Sequence, residues 1–386
     1  MKRYLFVVNE LGFIYSHFWE LARSIQNAGW EVAVAGVVSS SPKRAVEHDI
    51  MCFPIRTVLG ISDPFSELRT LIELRRAVRS FRPDLIHAIS LKNVLLSSFL
   101  TKTEKVPSLL CAITGLGTMF IDDKLAFRLL RPLVLKGMAF GQNHNNSVMA
   151  FENRDDQEYF VRKRVVPSQR SFLIPGSGVS PELFTSAEQR YGIPQILCVA
   201  RMIRSKGILE LTAAAAALRV EGVRFDLILV GDVDPSNQTS LTIEELSQMQ
   251  THEVLSWLGK RSDIPALLKS ASIFCLPSYR EGMSRALVEA AAAGLPIVTT
   301  DVPGCREVVV DGVNGYLVPP RDSQSLAIAL GRLVRSRELR IRMGYASRER
   351  FLERFTTAHA LRAFQNCYTA LGVPLDIKIA AKAQPE

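Results

Sequence analysis

Two segments of the sequence place charged side chains where an apolar run ends and a helical pattern begins. In the first, the run Gln195–Ala200 is followed by Arg201 and then by Lys206, and the helical pattern starts at Ile208. The first turn of a helix carries unpaired N–H groups and a partial positive charge. Arg201 adds a planar fork of donors, and Lys206 adds a point charge. We expect this segment to hold a phosphate or diphosphate; the alternative is two solvated surface bases.

The second segment carries two glutamates in a Glu-x7-Glu spacing. Glu281 falls in the turn after the apolar run Ser272–Pro277, and Glu289 falls in the helical pattern Arg285–Ala293. At a helical rise of 1.5 Å per residue the two carboxylates are about 12 Å apart, too far for a paired acid–base device. That distance suits the two ends of one long ligand, such as the sugar and the ribose of a nucleotide sugar. For Glu281 an N-cap role is the alternative.

The elements that must position these residues alternate between strands and helices. The strand-like runs are apolar throughout: Tyr4–Asn9, Val32–Gly36, Asp84–Ala88, Leu109–Ile113, Ser147–Phe151, Phe172–Pro175, Gln195–Ala200, Phe225–Gly231, Ser272–Pro277 and Pro296–Thr300. The helical patterns separate them: Phe18–Ala28, Glu67–Phe81, Val94–Leu100, Leu125–Phe140, Ile208–Leu218, Ile264–Lys269 and Arg285–Ala293. Such alternation predicts parallel sheets covered on both faces, with ligands at the carboxyl ends of the strands. We expect an α/β fold of two doubly wound, Rossmann-like domains that face each other across a cleft.

Proline, glycine and serine accumulate between the two halves of the 386-residue chain. We therefore predict an N-terminal domain at 1–175, a linker at 176–194 and a C-terminal domain at 195–360. Residues 361–386 are predicted to form a C-terminal helix and tail that packs back toward the first domain, with a frayed end at Lys378–Glu386.

Composition limits the classes of function. The chain carries 47 basic and 38 acidic residues, a net charge of +9, so an anionic partner is expected. Aromatic residues are not interleaved with the basic ones, and this argues against nucleic acid. The six cysteines lack metal-ligand spacing and are expected to be reduced core residues. The early strand at Tyr4 leaves no room for a signal peptide, and no apolar run is long enough to span a bilayer. The sequence therefore predicts a cytoplasmic protein.

One helical pattern suits a membrane surface. At 100° per residue Lys124, Arg128 and Arg131 fall in one narrow stripe, and most other directions of the Leu125–Phe140 helix are apolar. That pattern is typical of a helix that lies on anionic lipid. A buried helix with one exposed edge is the alternative, and Pro132 is expected to break or kink the helix or to mark its start.

Taken in order, these motifs resemble family 4 of the retaining glycosyltransferases. The resemblance rests on five motifs: Arg201, Lys206-Gly207, the Glu281/Glu289 pair, Gly294-Leu295-Pro296-Ile297-Val298 and the turn Asp311–Val318. It implies the two-domain GT-B fold, with a nucleotide sugar on the C-terminal domain and the acceptor on the N-terminal one.

Further motifs resemble a subgroup that adds a sugar to a polyprenyl-diphosphate-linked saccharide, including the N-acetylgalactosaminyltransferases of lipid-linked bacillosamine. They are Pro277–Gly282, Asp301–Glu307, Gly259–Ile264, Ile174–Val179 and Thr114–Gly117. This resemblance implies a UDP-linked donor, with a UDP-N-acetylhexosamine as one candidate. It implies a role in surface polysaccharide, O-antigen or glycoprotein glycan assembly, as a peripheral protein on the inner face of the plasma membrane. A soluble acceptor such as sucrose or a small polyol is the alternative, and a nonenzymatic protein that binds anionic surfaces is the alternative of a different class.

The resemblance also implies roles for single residues. The expected catalytic residues are Glu281, Lys206 and Arg201. Arg201 and Lys206 are expected on the donor diphosphate, Glu281 on the donor sugar and Glu289 on the ribose. The expected donor-binding set is Arg201, Lys206, Gly231, Lys260, Arg261, Glu281, Gly282, Met283, Ser284 and Glu289.

Acceptor-side candidates lie in the first half: Gly12, His17, His87, Thr114 and Gly115. Thr114 stands where many relatives carry a histidine, so a histidine role is unfilled there. For His17 and His87 a capping or packing role is the alternative. Asp232-Val233-Asp234 mimics a DxD metal motif of a different transferase fold, but with Arg201 and Lys206 available to neutralise phosphates we expect neither a metal nor another cofactor.

Overall fold

The computed structural model describes residues 1–38, 50–56, 64–121, 125–143, 146–186, 192–235, 237, 239–251 and 255–377. Its contacts divide the chain into two compact units. Unit 1 comprises Met1–Ser177 together with Ala358–Glu386, and unit 2 comprises Gly178–Thr357. The predicted frayed end at Lys378–Glu386 and the predicted stripe residue Lys124 lie outside the described residues.

Unit 1 is built on a seven-stranded parallel sheet in the order β3-β2-β1-β4-β5-β6-β7. The strands are β1 Arg3–Glu10, β2 Glu31–Val37, β3 Met51–Pro54, β4 Leu85–Ile89, β5 Ser108–Ile113, β6 Ser147–Phe151 and β7 Ser171–Leu173. The central strands β4, β5 and β6 are buried along their whole length, as expected of a parallel sheet covered on both faces.

The helices of unit 1 cover both faces of this sheet. They are α1 Trp19–Asn27, α2 Pro64–Phe81, α3 Leu91–Thr103, α4 Gly117–Ile121, α5 Leu125–Gln142, α6 Arg154–Arg162 and, from the C-terminal part of the chain, α14 Thr357–Ala370. Side chains of α14 such as Phe364 and Cys367 join the core around β1. The helix α5 continues through Pro132, so a break at that residue is not observed; Pro132 lies on the exposed side of the helix.

Unit 2 is built on a six-stranded parallel sheet in the order β10-β9-β8-β11-β12-β13. The strands are β8 Gln195–Val199, β9 Asp226–Val230, β10 Ser256–Trp257, β11 Ile273–Leu276, β12 Ile297–Thr300 and β13 Gly315–Val318. The helices are α7 Ile208–Val220, α8 Ile243–Thr251, α9 Ile264–Ser270, α10 Arg285–Ala292, α11 Cys305–Val308, α12 Ser323–Arg335 and α13 Arg337–Arg354.

Both sheets follow the doubly wound strand order, in which the first strand lies between the second and the fourth. This confirms the predicted α/β class. The predicted runs did not include β3, β10, β13, α4, α6, α8 and α11. Of these, β3 and β10 are short edge strands, α4 and α11 are helices of five and four residues, and α6 is too polar to show an apolar stripe. Asn153 was the available signal for α6, because its side chain accepts a hydrogen bond from the N–H of Asp156.

All six cysteines were predicted to be core residues; five of them are buried as predicted, whereas Cys52 is half-buried. No helix in the described part of the chain is long and apolar enough to cross a bilayer.

Candidate active site

The two charged segments found in the sequence follow neighbouring strands of unit 2. Arg201 and Lys206 come after β8, and Glu281 comes after β11; β8 and β11 pair in parallel through Ile196 and Ile273. In the sheet, β9 follows in sequence and lies on the outer side of β8, whereas β12 follows and lies on the outer side of β11. The chain therefore turns in opposite directions after the two strands. This is the topological switch point of the sheet, where ligands of open α/β folds bind.

Lys206 and Glu281 form the centre of this site. The Lys206 Nζ lies 2.6 Å from Oε1 of Glu281, and the side chains are only 19% and 10% exposed. The hydroxyl of the fully buried Ser278 donates a second hydrogen bond, also of 2.6 Å, to the same oxygen. Two donors therefore orient the carboxylate, and Glu281 pairs with a cation rather than serving as the N-cap that was the alternative.

Tyr279 holds the two loops together. Its backbone N–H donates to the carbonyl of Ser205 at 2.9 Å, and its hydroxyl donates to Oε1 of Glu210 on α7 at 2.7 Å. Burial is the main cause that raises the pKa of Tyr279 to about 12, and the bond to Glu210 adds to it. The phenol therefore stays protonated and can keep donating near neutral pH. These contacts fix Glu281 relative to Lys206.

Arg201 is 61% exposed and pairs with Asp234 at 2.6 Å. Asp234 is the second aspartate of the DxD-like segment, so this carboxylate is engaged by a cation of the same site. In the ranges that the structure describes, no group of three or more His, Cys, Asp or Glu side chains is arranged to hold a metal ion.

Gly231 follows β9 and allows the ends of two neighbouring strands to lie close together. Its φ is +138°, and a Cβ at this position would lie 1.7 Å from the carbonyl oxygen of Ala200. Its N–H donates to the carbonyl of Gly259, and its carbonyl accepts from the indole N–H of Trp257. Only glycine allows β8 and β9 to end this close together.

Lys260 and Arg261 lie in the loop after the edge strand β10, two strands from β8. At the usual strand spacing this places the loop about 10 Å from the end of β8. Both side chains are exposed, and Arg261 forms a two-bond pair with Asp263 that lowers the pKa of that carboxyl. The sheet order therefore puts this loop and the Lys206 loop along one edge.

The loop Gly282–Ser284 leads into α10, with Ser284 buried at its N-cap position. Because the helix begins only at Arg285, the 12 Å estimated from helical rise for the Glu281–Glu289 separation does not apply. Glu289 pairs with Arg285 at 2.7 Å; burial raises the pKa of Glu289, and Arg285 opposes that rise. Gly304 lies in the loop after β12 and has a φ of +80°. A Cβ at Gly304 would lie 2.2 Å from the carbonyl oxygen of Gly282, so glycine allows the two loops to lie this close.

In unit 1, Gly12 and His17 follow β1 as predicted from the sequence order. Residues Ile14–Phe18 form a π-helical turn before α1, a feature that is frequent at functional sites. The His17 ring stacks on Phe13 at 4.2 Å, and its Nδ1 lies 2.7 Å from the Ser16 hydroxyl. His17 is half-buried, so its ring edge is reachable from solvent.

His87 is a core residue, and its prediction as an acceptor-side residue is wrong. It is 0% exposed within β4, and its Nδ1 lies 2.8 Å from the Tyr4 hydroxyl, which lies 2.8 Å from the hydroxyl of Tyr368 on α14. Burial lowers the pKa of His87 to about 3, so the ring is neutral. The packing alternative is the correct one.

Thr114 and Gly115 follow β5, two strands from β1, and both are half-buried. The side chain of Asn9, at the end of β1, links instead to the next strand in the sheet: it accepts hydrogen bonds from the Ser90 hydroxyl at 3.0 Å and the Asn93 amide at 2.9 Å. The structure therefore keeps Gly12, His17, Thr114 and Gly115 at the carboxyl edge of the sheet and removes His87 from it.

Ser278 and Glu210 were assigned no role from the sequence. Ser278 precedes Glu281 by three residues, and Glu210 follows Lys206 by four, so both spacings were visible. The partner of Glu210 is Tyr279, 69 positions away, so the role of Glu210 depends on the pairing of distant strands. Asp234 was noted only as part of a metal-like motif, and its partner Arg201 lies 33 positions away.

Both halves of the chain are similar to known glycosyltransferases. The family described as glycosyl transferases group 1 matches residues 181–350, and the family described as glycosyl transferase 4-like matches residues 5–143. The N,N'-diacetylbacillosaminyl-diphospho-undecaprenol alpha-1,3-N-acetylgalactosaminyltransferase of Campylobacter jejuni is 26% identical over 296 residues, which cover 73% of this chain and 76% of that protein. The UDP-Gal:alpha-D-GlcNAc-diphosphoundecaprenol alpha-1,3-galactosyltransferase of Escherichia coli is 24% identical over 312 residues, 77% of this chain and 78% of that protein.

Among solved structures, sucrose-phosphate synthase from Thermosynechococcus elongatus superposes with a TM-score of 0.77 at 20% identity, covering 96% of this chain and 99% of that one. At that identity the likeness concerns the fold, and it confirms the GT-B class. The two family matches together take in most of both units. The chain therefore belongs to the glycosyltransferases that join a 4-like N-terminal domain to a group 1 domain.

Proposed function

We propose that this glycosyltransferase moves a sugar from a nucleotide sugar, with retention of configuration, to a polyprenyl-diphosphate-linked saccharide. The observation that carries the proposal is the Lys206–Glu281–Ser278 cluster at the switch point of unit 2. A cation and an oriented carboxylate side by side can hold both halves of the donor at the bond that breaks.

Lys206 and Arg201 take the donor diphosphate. When the bond between the anomeric carbon and the diphosphate oxygen breaks, negative charge grows on the leaving nucleoside diphosphate. Two fixed cations stabilise that charge most in the transition state, which is where stabilisation increases the rate. The oxygen of the acceptor hydroxyl forms the new bond to the anomeric carbon, and the hydroxyl proton passes to the leaving diphosphate oxygen. Because the cations perform the neutralisation, we propose that the reaction requires no metal ion.

Glu281 accepts a hydrogen bond from a hydroxyl of the donor sugar. Its Oε1 is occupied by Lys206 and Ser278, and this leaves Oε2 to receive the sugar. Glu289 accepts from the ribose, the amides of Met283 and Ser284 contact phosphate or sugar, and the loop with Lys260 and Arg261 lies against the base.

The acceptor and donor classes follow from the relatives. Both relatives described above carry diphosphoundecaprenol in their names, and the second uses UDP-galactose. They match more than two thirds of this chain at 24–26% identity, which supports a UDP-sugar donor and a lipid-linked acceptor in surface glycan assembly. We propose that unit 1 receives the acceptor near Gly12, His17, Thr114 and Gly115, on the inner face of the plasma membrane.

Thermal-shift measurements with UDP, GDP and ADP, each alone and as a sugar conjugate, test the donor, because a ligand that binds only the folded protein raises its melting temperature. We expect a rise with UDP that Lys206→Met abolishes. Absence of a shift with every nucleotide would reject the proposal. Incubation of the preferred UDP-sugars with undecaprenyl-diphosphate-linked saccharides and with sucrose then tests the acceptor, and transfer to the soluble sugar alone would reject the lipid-linked class.

A further inference from the structure

One face of unit 1 exposes large apolar side chains on three neighbouring helices. On α5, Leu125, Leu129, Leu133 and Phe140 are 70%, 66%, 64% and 54% exposed. At 100° per residue these four fall within an arc of about 80°, opposite the buried Leu135 and Met138. We call them the α5 stripe. A helix that merely covers a sheet directs its leucines inward, so this one has a second apolar side.

The apolar surface continues from α5 onto α2 and α3. On α2, Phe65, Leu68 and Ile72 are 84%, 55% and 43% exposed, and on α3 Phe99 is 48% exposed. The three helices meet at a groove of about 290 Å³, to which α2 contributes Leu71, α3 contributes Phe99 and α5 contributes Phe140. The groove joins the three helices through Leu71, Phe99 and Phe140, and exposed apolar surface of this kind on soluble proteins marks interaction sites.

The same three helices carry a clear excess of positive charge. They contain nine lysines and arginines but only two glutamates, and α5 contains no acidic residue. Arg128 is exposed beside the α5 stripe, and Lys136 is exposed within its arc. Arg76 is exposed on α2, and the Lys102 ammonium lies 3.7 Å from the centre of the Phe140 ring. The partner of this face is therefore both apolar and anionic.

The structure also corrects the stripe predicted from the sequence. Arg131 does not point to solvent with Arg128: its Nε donates to the carbonyl of Met119 at 2.7 Å, and its guanidinium lies over Phe120. The membrane-facing element suggested by the periodicity was a row of bases. In the structure it is a row of leucines, with Arg128 on its flank and Lys136 among them.

We propose that the face formed by the α5 stripe and the exposed side chains of α2 and α3 docks on a bilayer that contains anionic lipids. Leucine and phenylalanine side chains enter the boundary between headgroups and acyl chains, while Arg76, Arg128 and Lys136 stay at the phosphates. A second copy of the chain fits poorly, because it would bring two basic faces together. The inference deepens the proposed function and rests on it, since a lipid-linked acceptor is reached at a membrane.

Co-sedimentation with vesicles tests the face directly. We expect the wild-type protein to bind phosphatidylcholine vesicles that contain about 30 mol% phosphatidylglycerol, and to bind pure phosphatidylcholine at least about tenfold less. Leu129→Glu with Leu133→Glu is expected to weaken binding to the anionic vesicles at least about tenfold. The matched control is Val220→Glu with Ile328→Glu, because those residues are 90% and 53% exposed on unit 2; it should bind like the wild type.

Vesicle binding tests the membrane face, and the UDP thermal shift tests the proposed donor. Equal vesicle binding by the wild type and by the Leu129/Leu133 variant would overturn the proposed membrane face. The face would also be overturned if the wild type did not bind vesicles but formed a dimer, and the variant were monomeric. The UDP thermal shift should be the same in both proteins. If UDP gives no thermal shift but vesicle binding depends on Leu129 and Leu133, the proposed donor is wrong and the membrane face is supported. If UDP gives a thermal shift but the protein does not bind vesicles, the donor is supported and the membrane face is wrong.

Discussion

The Lys206 ammonium lies 2.6 Å from Oε1 of Glu281, and the two residues come from loops that follow different strands, 75 positions apart. Each side chain is mostly buried, so each charge is compensated chiefly by the other. Breaking such a pair on one side costs more than the pair contributes, because it leaves an uncompensated charge with little water around it. The pair therefore allows the roles of its two members to be separated by single substitutions.

We expect Glu281→Gln to lower the transfer rate at least about 100-fold while UDP binding is kept or strengthened. The amide preserves the shape of the side chain but removes the charge that holds Lys206, which leaves the ammonium available to the diphosphate. Single-turnover rates and titration calorimetry with UDP measure the two effects. Ser278→Ala is the graded control: it removes one hydrogen bond worth about 1 kcal/mol and should cost less than tenfold. Full activity of Glu281→Gln would refute the assigned role.

The complementary change, Lys206→Met, should weaken UDP binding at least about tenfold, because the diphosphate loses its least exposed cation. It should also lower the free energy of unfolding by about 2 kcal/mol, since Glu281 is left without its partner. Lys269→Met is the matched control, because Lys269 is exposed on α9. Calorimetry and urea unfolding give the two numbers. Unchanged UDP affinity would remove Lys206 from the donor site.

Substitution of two glycines with positive φ allows the cost of backbone strain to be measured apart from the cost of a steric clash. Gly231→Ala places a methyl group 1.7 Å from the carbonyl oxygen of Ala200, whereas Gly222→Ala, at φ +75°, meets nothing within 4 Å. We expect Gly222→Ala to cost about 1 kcal/mol from the left-handed conformation alone. Gly231→Ala should cost several times more, or prevent folding, and urea unfolding of both proteins makes the comparison. Similar losses in both would show that the ends of β8 and β9 can separate freely.

Chelation tests whether the DxD-like segment holds a metal. Asp234 pairs with Arg201, and the diphosphate is assigned to cations of the chain itself. We therefore expect transfer in excess EDTA within about twofold of the rate in Mg²⁺, since no metal would be stabilising the leaving group. Asp232→Asn should behave like the wild type in both conditions. A loss of activity in EDTA that Mg²⁺ restores would contradict the metal-independent mechanism.

The loops of unit 2 were predictable because their elements alternate regularly and their charged residues follow strand ends. What the sequence could not show is which side chains meet across neighbouring strands. Ser278 reads as an ordinary polar residue until β11 and β8 are paired, and only then does its hydroxyl fall beside the Lys206–Glu281 contact. Local pattern identifies a loop, and pairing between distant strands completes the site.

The two histidines of unit 1 show the same limit. His87 lies in a strand whose residues are all buried, so no alternation indicates its surroundings. Its partner network includes Tyr368, contributed by a helix at the other end of the chain. His17 lies in a π-helical turn that periodicity reads as the start of an ordinary helix. Their different environments lead to a prediction that separates them.

His87 should make the protein less stable as pH falls. In the unfolded chain its pKa is near 6.5, and in the folded protein burial lowers the pKa to about 3. Between these values the unfolded state binds more protons, so the free energy of unfolding decreases as pH decreases, by up to about 1.4 kcal/mol per pH unit from this group. The loss begins below pH 6.5 and continues toward pH 3.

His87→Asn should flatten this dependence, because asparagine does not titrate and its amide can replace Nδ1 beside the Tyr4 hydroxyl. His17→Asn is the comparison variant, since it removes a histidine from a half-buried turn outside the Tyr4–His87–Tyr368 network. Urea unfolding at pH 7, 6 and 5 gives the slope for each protein, independently of differences in absolute stability. Equal slopes in wild type and His87→Asn would mean that His87 is protonated in the folded core, and the neutral Tyr4–His87–Tyr368 network would then be wrong.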